Sequence, residues 1–325
     1  MCKVIANLIS LLTVLVFVIA AVIIAIIFAP KDVPPPYLAN VKPAALVEKF
    51  VCKSTGFEKK IEDILTKMSE DYKEKNVIVF GETGVGKSSL INMIMNANVA
   101  QVSDRAVGVT FEYQKYSFLN LNIYDTIGLG EPDGGTVNKK KAISELLKLM
   151  TKLKKSSGIN LIILVMKKGR INDILKSNYK LIVEIMTDFK VPVVLVVTHA
   201  KDEKVRNKWI QNNQQYFRAN NLIFVAETTV CGTPIHGLSD EMQCYFKNCL
   251  LESRFDVLRL IQDKSLKQPY RIPELNFLKL ICAMFNFVLD YFGFPIPLWT
   301  ELSDFLQEHG FDPLEAIRRV NAMFH

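Results

Sequence analysis

Residues 76–95 read NVIVFGETGVGKSSLINMIM, and this stretch decides the fold. A short β-rich run, Val77–Phe80, ends at Gly81, and GETGVGKS then fits the pattern G-x-x-x-x-G-K-[ST]. Apolar residues recur at helical spacing directly afterwards. A strand, a glycine-rich loop and a helix in this order predict a phosphate-binding loop in an α/β fold whose sheet is mostly parallel.

The residue types in this loop suit a nucleotide phosphate. Glycines at 81, 84 and 86 let the backbone turn tightly, so that its N–H groups and the positive end of the following helix face phosphate oxygens. Lys87 is predicted to reach the β- and γ-phosphates, and the Ser88 hydroxyl is predicted to bind Mg²⁺. The predicted nucleotide contacts of the loop are Gly81, Glu82, Thr83, Gly84, Val85, Gly86, Lys87, Ser88 and Ser89.

Two later stretches supply the other parts of the predicted phosphate and metal site. NLNIYDTIGLG places Asp125-x-x-Gly128 at the end of a second apolar strand. Asp125 is expected to hold the metal through water, and the Gly128 N–H is expected to meet the γ-phosphate. Thr110 lies between the two motifs, just before an alternating strand, and is expected to close over Mg²⁺ and the γ-phosphate. The predicted metal ligands are Ser88, Thr110 and Asp125, and the predicted catalytic residues are Lys87, Thr110 and Gly128.

With these motifs in place, the chain resembles the septin-like branch of the P-loop GTPases. GETGVGKSSLINMI, GVT, DTIGLG and THA are similar to motifs of the GIMAP immunity-associated GTPases and of the Toc GTPases of the chloroplast outer envelope. LIILVMKKGRINDILKSNYKLIVEIM is similar to the block that these families carry before the base-reading loop. The resemblance covers about residues 70–252, and it implies a three-layer P-loop GTPase sandwich that binds GTP or GDP with Mg²⁺.

The resemblance also implies slow hydrolysis and the pairing of two G domains. Leu129 follows DxxG, where many small GTPases have a glutamine that orients the attacking water. Septin-like families commonly lack that glutamine, so the expected enzyme is a GTP phosphohydrolase that is slow without a partner. A homodimer through the G domain is expected, in which Arg105 or Arg170 acts across the interface; alternatively, both are ordinary surface arginines.

The stretch VVTHAKDE, residues 196–203, follows an apolar strand and is expected to read the base. A carboxylate that accepts from the guanine N1–H and N2–H₂ donors would distinguish guanine from adenine. If the stretch is compared with the GIMAP pattern T-R-K-x-D, that carboxylate is Asp202. If it is interpreted as A-K-x-E, Lys201 packs on the base and Glu203 accepts.

A third assignment compares the stretch with the Toc pattern T-H-A. His199 then lies over the base, and the carboxylate comes from the next loop, where Glu227-Thr228 ends a short strand. Both loops follow the carboxyl ends of neighbouring strands, the usual ligand edge of an open α/β sheet. We favour His199 as the flat contact, Glu227 as the main reader and Asp202 as the second candidate.

The ends of the chain differ in composition from the G domain. Val4 to Ala29 carry no charged side chain, and a helix of about 26 residues would be ~39 Å long, enough to cross a bilayer. This run predicts a single-pass membrane protein whose N-terminal transmembrane helix contacts the lipid bilayer and whose G domain faces the cytosol. The predicted organisation is an anchor at 1–30, a proline-rich linker at 31–50, an amphipathic helix at 51–75, the G domain at 76–252 and a helical C-terminal extension at 253–325.

Composition narrows the classes of partner and cofactor. The 325 residues carry a formal net charge of +7, but no arginine-rich stripe or basic patch with interleaved aromatic residues, so nucleic acid is not an expected partner. The six cysteines have no zinc-ligand spacing and are predicted to be reduced thiols in a cytosol-facing protein.

The sequence as a whole predicts a membrane-anchored GTP-binding protein. It would hydrolyse GTP slowly, by attack of water on the γ-phosphate with Mg²⁺ bound, and the change of nucleotide would switch dimerisation or partner recruitment. The first alternative is a scaffold that binds guanine nucleotide without hydrolysing it. The second is an ATPase or kinase, which the imperfect base-reading motif leaves open.

Overall fold

The computed structural model describes residues 52, 55–71, 73–100, 113–126, 145–146, 148–155, 157–200, 207–231, 239–273, 307 and 312. They belong to a compact unit that begins at Cys52. The strands described are β1 (Lys75–Phe80), β2 (Gln114–Phe118), β3 (Leu121–Asp125), β4 (Leu161–Lys167), β5 (Val193–Thr198) and β6 (Ala226–Thr229). The helices whose bounds the structure gives are α1 (Phe57–Glu70), α2 (Lys87–Met95), α3 (Asp173–Tyr179) with a π-helical continuation over Lys180–Met186, α4 (Lys208–Ala219) and α5 (Asp240–Lys264).

The strands form one sheet in the order β2-β3-β1-β4-β5-β6. Strand β1 lies parallel between β3 and β4, and β5 lies parallel between β4 and β6, whereas β2 joins β3 in an antiparallel hairpin. Parallel sheets are covered on both faces, which explains why β1, β3 and β5 are buried at every residue. The predicted mostly parallel α/β sheet is confirmed.

Alternate residues of the central strands face two different layers of helices. Ile78 and Phe80 of β1 belong to a core cluster with α3, the π-helix and α4. Val77 and Val79 belong to a second cluster with α1, α2 and α5. Because side chains alternate along a strand, this division gives a three-layer sandwich, and it places α1 on the same face as the phosphate-loop helix α2.

Helix α1 packs on the G domain, and a disulfide joins Cys52, which precedes α1, to α5. Ile61, Ile64 and Met68 of α1 are buried against the G domain. Cys52 and Cys244 form a disulfide across a sequence separation of 192 residues. The prediction that every cysteine is a reduced thiol is therefore wrong for this pair, because cysteine spacing in the sequence carries no information on which residues the fold brings together.

Helix α5 runs without a break across the predicted boundary between residues 252 and 253. Val257, Leu258 and Ile261, which lie beyond that boundary, pack in the same core cluster as α1 and α2. The helix is thus continuous with the packing of the G domain up to Lys264. The rest of the predicted C-terminal extension, after Pro273, lies outside the described residues except for positions 307 and 312.

The predicted single-pass membrane location is corrected. No helix within the described ranges combines the length and the apolar character that a bilayer span requires. The longest of them, α5, has 25 residues but carries charged side chains along its whole length. The predicted anchor at residues 1–30 lies outside the described residues. We therefore assign no membrane location and no lipid contact to this chain.

Candidate nucleotide-binding site

The phosphate loop connects the end of β1 to the start of α2, as the sequence predicts. Gly81 has φ +152°, and a Cβ atom there would collide with the carbonyl oxygen of Val165 on β4. Gly86 has φ +98° and directly precedes α2, where a Cβ atom would lie 3.3 Å from Thr198 Cγ2. These two glycines let the loop pass close to β4 and β5, which no larger residue could do without moving a neighbour.

Lys87 is buried at the first position of α2 and closes the loop. Its ammonium group donates hydrogen bonds to the carbonyl oxygens of Gly81, at 3.1 Å, and Glu82, at 2.8 Å. The lysine therefore lies inside the curve of the loop, at the N-terminal end of the helix. A cation and a helix N-terminus at one point suit an anionic group such as a nucleotide phosphate.

The predicted metal ligands Ser88 and Asp125 meet beside this lysine. The Ser88 hydroxyl donates to Asp125 Oδ2 at 2.8 Å. Asp125 is 1% exposed at the end of β3, and its other carboxylate oxygen, Oδ1, is buried without a hydrogen-bond partner. Burial raises the pKa of Asp125 above 3.8, while the Lys87 charge and the Ser88 hydrogen bond act in the opposite direction.

This donor set fits Mg²⁺. Magnesium prefers oxygen ligands and is commonly bound through one or two protein groups plus water and phosphate oxygens. The Ser88 hydroxyl and the Asp125 carboxylate, which has an unpartnered buried oxygen, provide such groups. A bound metal cation would compensate the negative charge of Asp125, which burial disfavours. The other predicted residues of the phosphate and metal site, Thr110 and Gly128, lie outside the described residues.

Thr198, the last residue of β5, ties the base side of the site to the phosphate loop. Its hydroxyl donates to the Val85 carbonyl at 2.6 Å and lies 3.0 Å from Nδ1 of His199. His199 is exposed and has φ +59°, a left-handed conformation. His199, the predicted flat contact with the base, thus lies at the carboxyl edge of the sheet, next to the phosphate loop. The second predicted reader, Asp202, lies outside the described residues.

Glu227, the residue favoured as the guanine reader, lies further from the carboxyl edge of the sheet than Thr198 does. The register pairs Glu227 with Leu195 and Thr228 with Val196, so Glu227 is three positions short of Thr198. Its carboxylate accepts a short hydrogen bond from the side-chain amide of Gln214 on α4. Thr228 is 2% exposed. The structure therefore brings Lys87, Ser88, Asp125 and His199 to one edge of the sheet and does not bring Glu227 or Thr228 to it.

Asn207 is a structural contact of the site that sequence reasoning missed. It has φ +62° just before α4, and its Oδ1 accepts from the Thr229 backbone N–H at 2.6 Å and from the Thr229 hydroxyl at 3.0 Å. It thereby fastens the end of β6 to the loop that follows β5. An asparagine before a helix suggests a cap or a left-handed residue, but its action on another strand depends on the fold.

Comparisons with known proteins agree with the fold and the motifs. Residues 76–199 match the family described as 50S ribosome-binding GTPase. Septin-10 from Rattus norvegicus is 29% identical over 105 residues, which cover 30% of this chain and 22% of that protein. Septin-10 from Mus musculus is 32% identical over 89 residues, 25% of this chain and 20% of that protein. The chain thus spans about a fifth of the length of these curated relatives.

Solved structures are more distant. Toc33 from Arabidopsis thaliana in complex with GDP and Mg²⁺ is 19% identical, with a TM-score of 0.43 over 65% of this chain and 95% of that one. Era in complex with MgGDPNP and 16S ribosomal RNA is 14% identical, with a TM-score of 0.44 over 65% and 66%. The resemblance to the GIMAP GTPases stays a prediction. The family match over residues 76–199 and the motifs in place on the sheet show a P-loop GTPase domain, and part of this domain is similar in sequence to the septins.

Proposed function

We propose that this protein binds GTP and GDP with Mg²⁺ and hydrolyses GTP slowly. The observation that carries the proposal is the meeting of Lys87, Ser88 and Asp125 at the N-terminal end of α2, with one Asp125 oxygen buried and unpartnered. Those groups would receive a phosphate chain and its metal ion together. The GTPase family match over residues 76–199 supports guanosine triphosphate as the substrate.

In the proposed reaction, water attacks the γ-phosphate. Lys87 exchanges its bonds to the Gly81 and Glu82 carbonyls for phosphate oxygens, and so opens the loop for the nucleotide. Ser88 and Asp125 hold Mg²⁺, which supplies charge neutralisation on the phosphates when it is bound. Leu129 has no polar atom to orient the attacking water, and this is the reason to expect slow turnover without a partner.

For the base, we propose that His199 provides the flat contact and that Asp202 reads guanine. This reverses the order of the two carboxylates expected from the sequence. The reversal is supported by the position of Glu227, which is paired with Leu195 and bonded to Gln214. Asp202 follows His199 by three residues in the sequence, and His199 lies at the carboxyl edge of the sheet, where ligands of open α/β sheets bind.

The test is a competition between GTP and ATP for the full chain, measured with fluorescent GTP and with Lys87→Ala as the non-binding control. We expect GTP to be preferred by at least roughly tenfold. Asp202→Ala should remove that preference and Glu227→Ala should retain it. Equal competition by ATP would refute guanine recognition, and loss of the preference in Glu227→Ala alone would return the assignment to Glu227.

Hydrolysis separates this proposal from a scaffold that only holds the nucleotide. Phosphate release from GTP should be measurable, slow and absent in Lys87→Ala. We further propose that GTP, in contrast to GDP, favours a homodimer through the G domain. Sedimentation velocity with a non-hydrolysable GTP analogue and with GDP would show a heavier species only with the analogue. Arg170, exposed after β4, is the described candidate for a residue that acts across the dimer, so Arg170→Ala should lower turnover in the dimer only.

A further inference from the structure

A second pocket lies at the opposite end of α2 from the phosphate loop. It is a depression open to solvent, with a volume of about 630 Å³, between α1, the C-terminal end of α2, the β2–β3 turn and α5. Asn96, which caps the C-terminal end of α2, is part of its wall. Helix α2 has 9 residues, so ~13 Å of helix separates this pocket from Lys87. The volume is in the range that binds small molecules.

Most of the pocket wall is apolar. Ile61 and Leu65 contribute from α1, Leu251 contributes from α5, and Phe118 and Leu119 contribute from the β2–β3 hairpin. Leu119 is 49% exposed and has φ +52°, so the turn presents a large apolar side chain in a conformation that leucine rarely adopts. An exposed apolar side chain in an unfavourable backbone conformation next to a cavity indicates a surface for an apolar ligand group.

Arg254 of α5 brings a buried positive charge to this wall. The residue is 9% exposed, and its Nε donates to the carbonyl of Ile94 near the end of α2 at 3.3 Å. A guanidinium has five N–H donors, and that bond accounts for one of them. Within the described part of the chain, no carboxylate forms an ion pair with Arg254. Because Arg254 also lines the pocket, its remaining donors are available to a ligand there.

The two acidic residues of the pocket do not cancel this charge. Glu58 and Glu62 of α1 are both exposed at the rim, where water and salt screen their fields. Arg254 is only 9% exposed, so solvent and salt screen its charge less than those of the two glutamates. The interior of the pocket therefore favours an anionic group, while the rim disfavours a second negative charge.

We propose that this pocket binds a single-chain carboxylate, with the carboxylate on Arg254 and the apolar tail against Ile61, Leu65, Phe118, Leu119 and Leu251. Arginine pairs with a carboxylate through two parallel hydrogen bonds, and the guanidinium of Arg254 can supply both donors. One monovalent head group matches one buried cation. A phosphate monoester carries about −1.5 to −2 charges at neutral pH and would leave excess negative charge beside Glu58 and Glu62. The proposal is independent of the nucleotide chemistry.

The experiment is a calorimetric titration of the full chain with sodium decanoate, below the concentration at which it forms micelles. We expect saturable binding with one site per chain. Decyl phosphate should bind more weakly than decanoate, and protonated decylamine should not bind. Equal binding of decylamine, or stronger binding of decyl phosphate, would overturn the assignment of a carboxylate site.

Three variants locate the binding. Arg254→Met keeps the length of an apolar side chain, removes the cation, and should weaken decanoate binding roughly tenfold or more. Leu119→Asp acts at the exposed turn, where aspartate tolerates φ > 0 better than leucine does. It should therefore weaken decanoate binding without the risk to folding that the replacement of Arg254 carries. Lys87→Ala should leave decanoate binding unchanged, because the phosphate loop is at the other end of α2.

Tyr216→Asp is the matched control for the loss of an exposed apolar side chain. Tyr216 is 54% exposed on α4 and is not part of the pocket wall, so this variant should bind as the wild type does. Wild-type affinity in Leu119→Asp, or loss of binding in Lys87→Ala, would refute the proposed site. Loss of binding in Tyr216→Asp would show non-specific adsorption of the acid.

Discussion

Replacing Thr198 by valine tests whether one hydroxyl holds the base side of the site against the phosphate loop. Valine keeps the shape of threonine and removes the oxygen. The hydroxyl is the donor to Val85 O at 2.6 Å, and no other hydrogen bond to this oxygen is found among the described residues. Thr198 is only 7% exposed, so water cannot fully replace the lost bond. The substitution therefore leaves a carbonyl of the phosphate loop without its donor.

The expected cost follows from that unpaired carbonyl. Leaving a buried acceptor unsatisfied costs about 1–3 kcal/mol, whereas a lost hydrogen bond whose partners are otherwise satisfied costs less. Each kcal/mol lowers the unfolding midpoint of a chain of this size by roughly 2–4 °C. Thr198→Val should thus unfold several degrees below the wild type in the absence of nucleotide. It should also bind GTP more weakly, because the contact between the two loops is lost.

Thr187→Val is the matched control. The Thr187 side chain is fully buried, and its hydroxyl donates to Val183 O at 2.8 Å. Val183 O also accepts from the Phe189 backbone N–H at 3.0 Å, so it stays satisfied in the variant. We expect a cost below about 1 kcal/mol and unchanged GTP affinity. Thermal unfolding scans that gave the same loss for both variants would refute the argument that Val85 O depends on Thr198.

Three further predictions concern the loop, the metal ligand and the disulfide. Gly81→Ala should abolish nucleotide binding in a fluorescent-GTP titration, because the added Cβ would collide with the Val165 carbonyl. Gly84→Ala has open space around its Cβ, so it should cost only ~1–2 kcal/mol of left-handed backbone strain and retain binding in the same titration. Because burial raises the pKa of Asp125, ionisation of its carboxyl destabilises the fold, and Asp125→Asn should raise the unfolding midpoint of the nucleotide-free protein near pH 7.5. That gain in midpoint should shrink as the pH falls towards 3.8, and a gain that grows in acid would contradict this. The variant should also remove the Mg²⁺ dependence of GTP binding. Cys52→Ser should lower the free energy of unfolding by about 2–4 kcal/mol under oxidising conditions. In a reductant it should change nothing, because Cys52 and Cys244 of the wild type are then thiols. Equal urea midpoints of variant and wild type under oxidising conditions would show that the disulfide does not constrain the unfolded chain.

Much of the phosphate and metal site could be predicted from the sequence because its information is local. The eight residues of GETGVGKS specify a loop conformation that few other residue types can adopt, and the strand before it and the helix after it follow from hydrophobic spacing. Ser88 and Asp125 are 37 residues apart, but each lies at the edge of the sheet that a parallel arrangement dictates. The α/β class and the meeting of these two groups therefore follow from the amino-acid sequence alone.

The contacts of the residues predicted to bind the base depended on tertiary structure. Glu227 follows an apolar run and looks like a residue at a strand end, yet the pairing of β5 with β6 places it three positions inside the sheet. A shift of register moves every side chain of a strand, and register is set by packing against the neighbouring strand as well as by the strand's own sequence. Thr198 and Val85, at 113 residues apart, could not be paired from the sequence for the same reason.

What the sequence determined by itself is thus the phosphate loop, the positions of Ser88 and Asp125 beside it and the class of fold, since each follows from a pattern within a short segment. What only the tertiary structure decided is which distant groups meet: the Cys52–Cys244 disulfide, the Thr198 contact with the loop and the Arg254 contact with Ile94. Such contacts form when whole helices and strands bury their apolar faces together. Their partners are selected by the packing of the entire domain, and no local pattern encodes them.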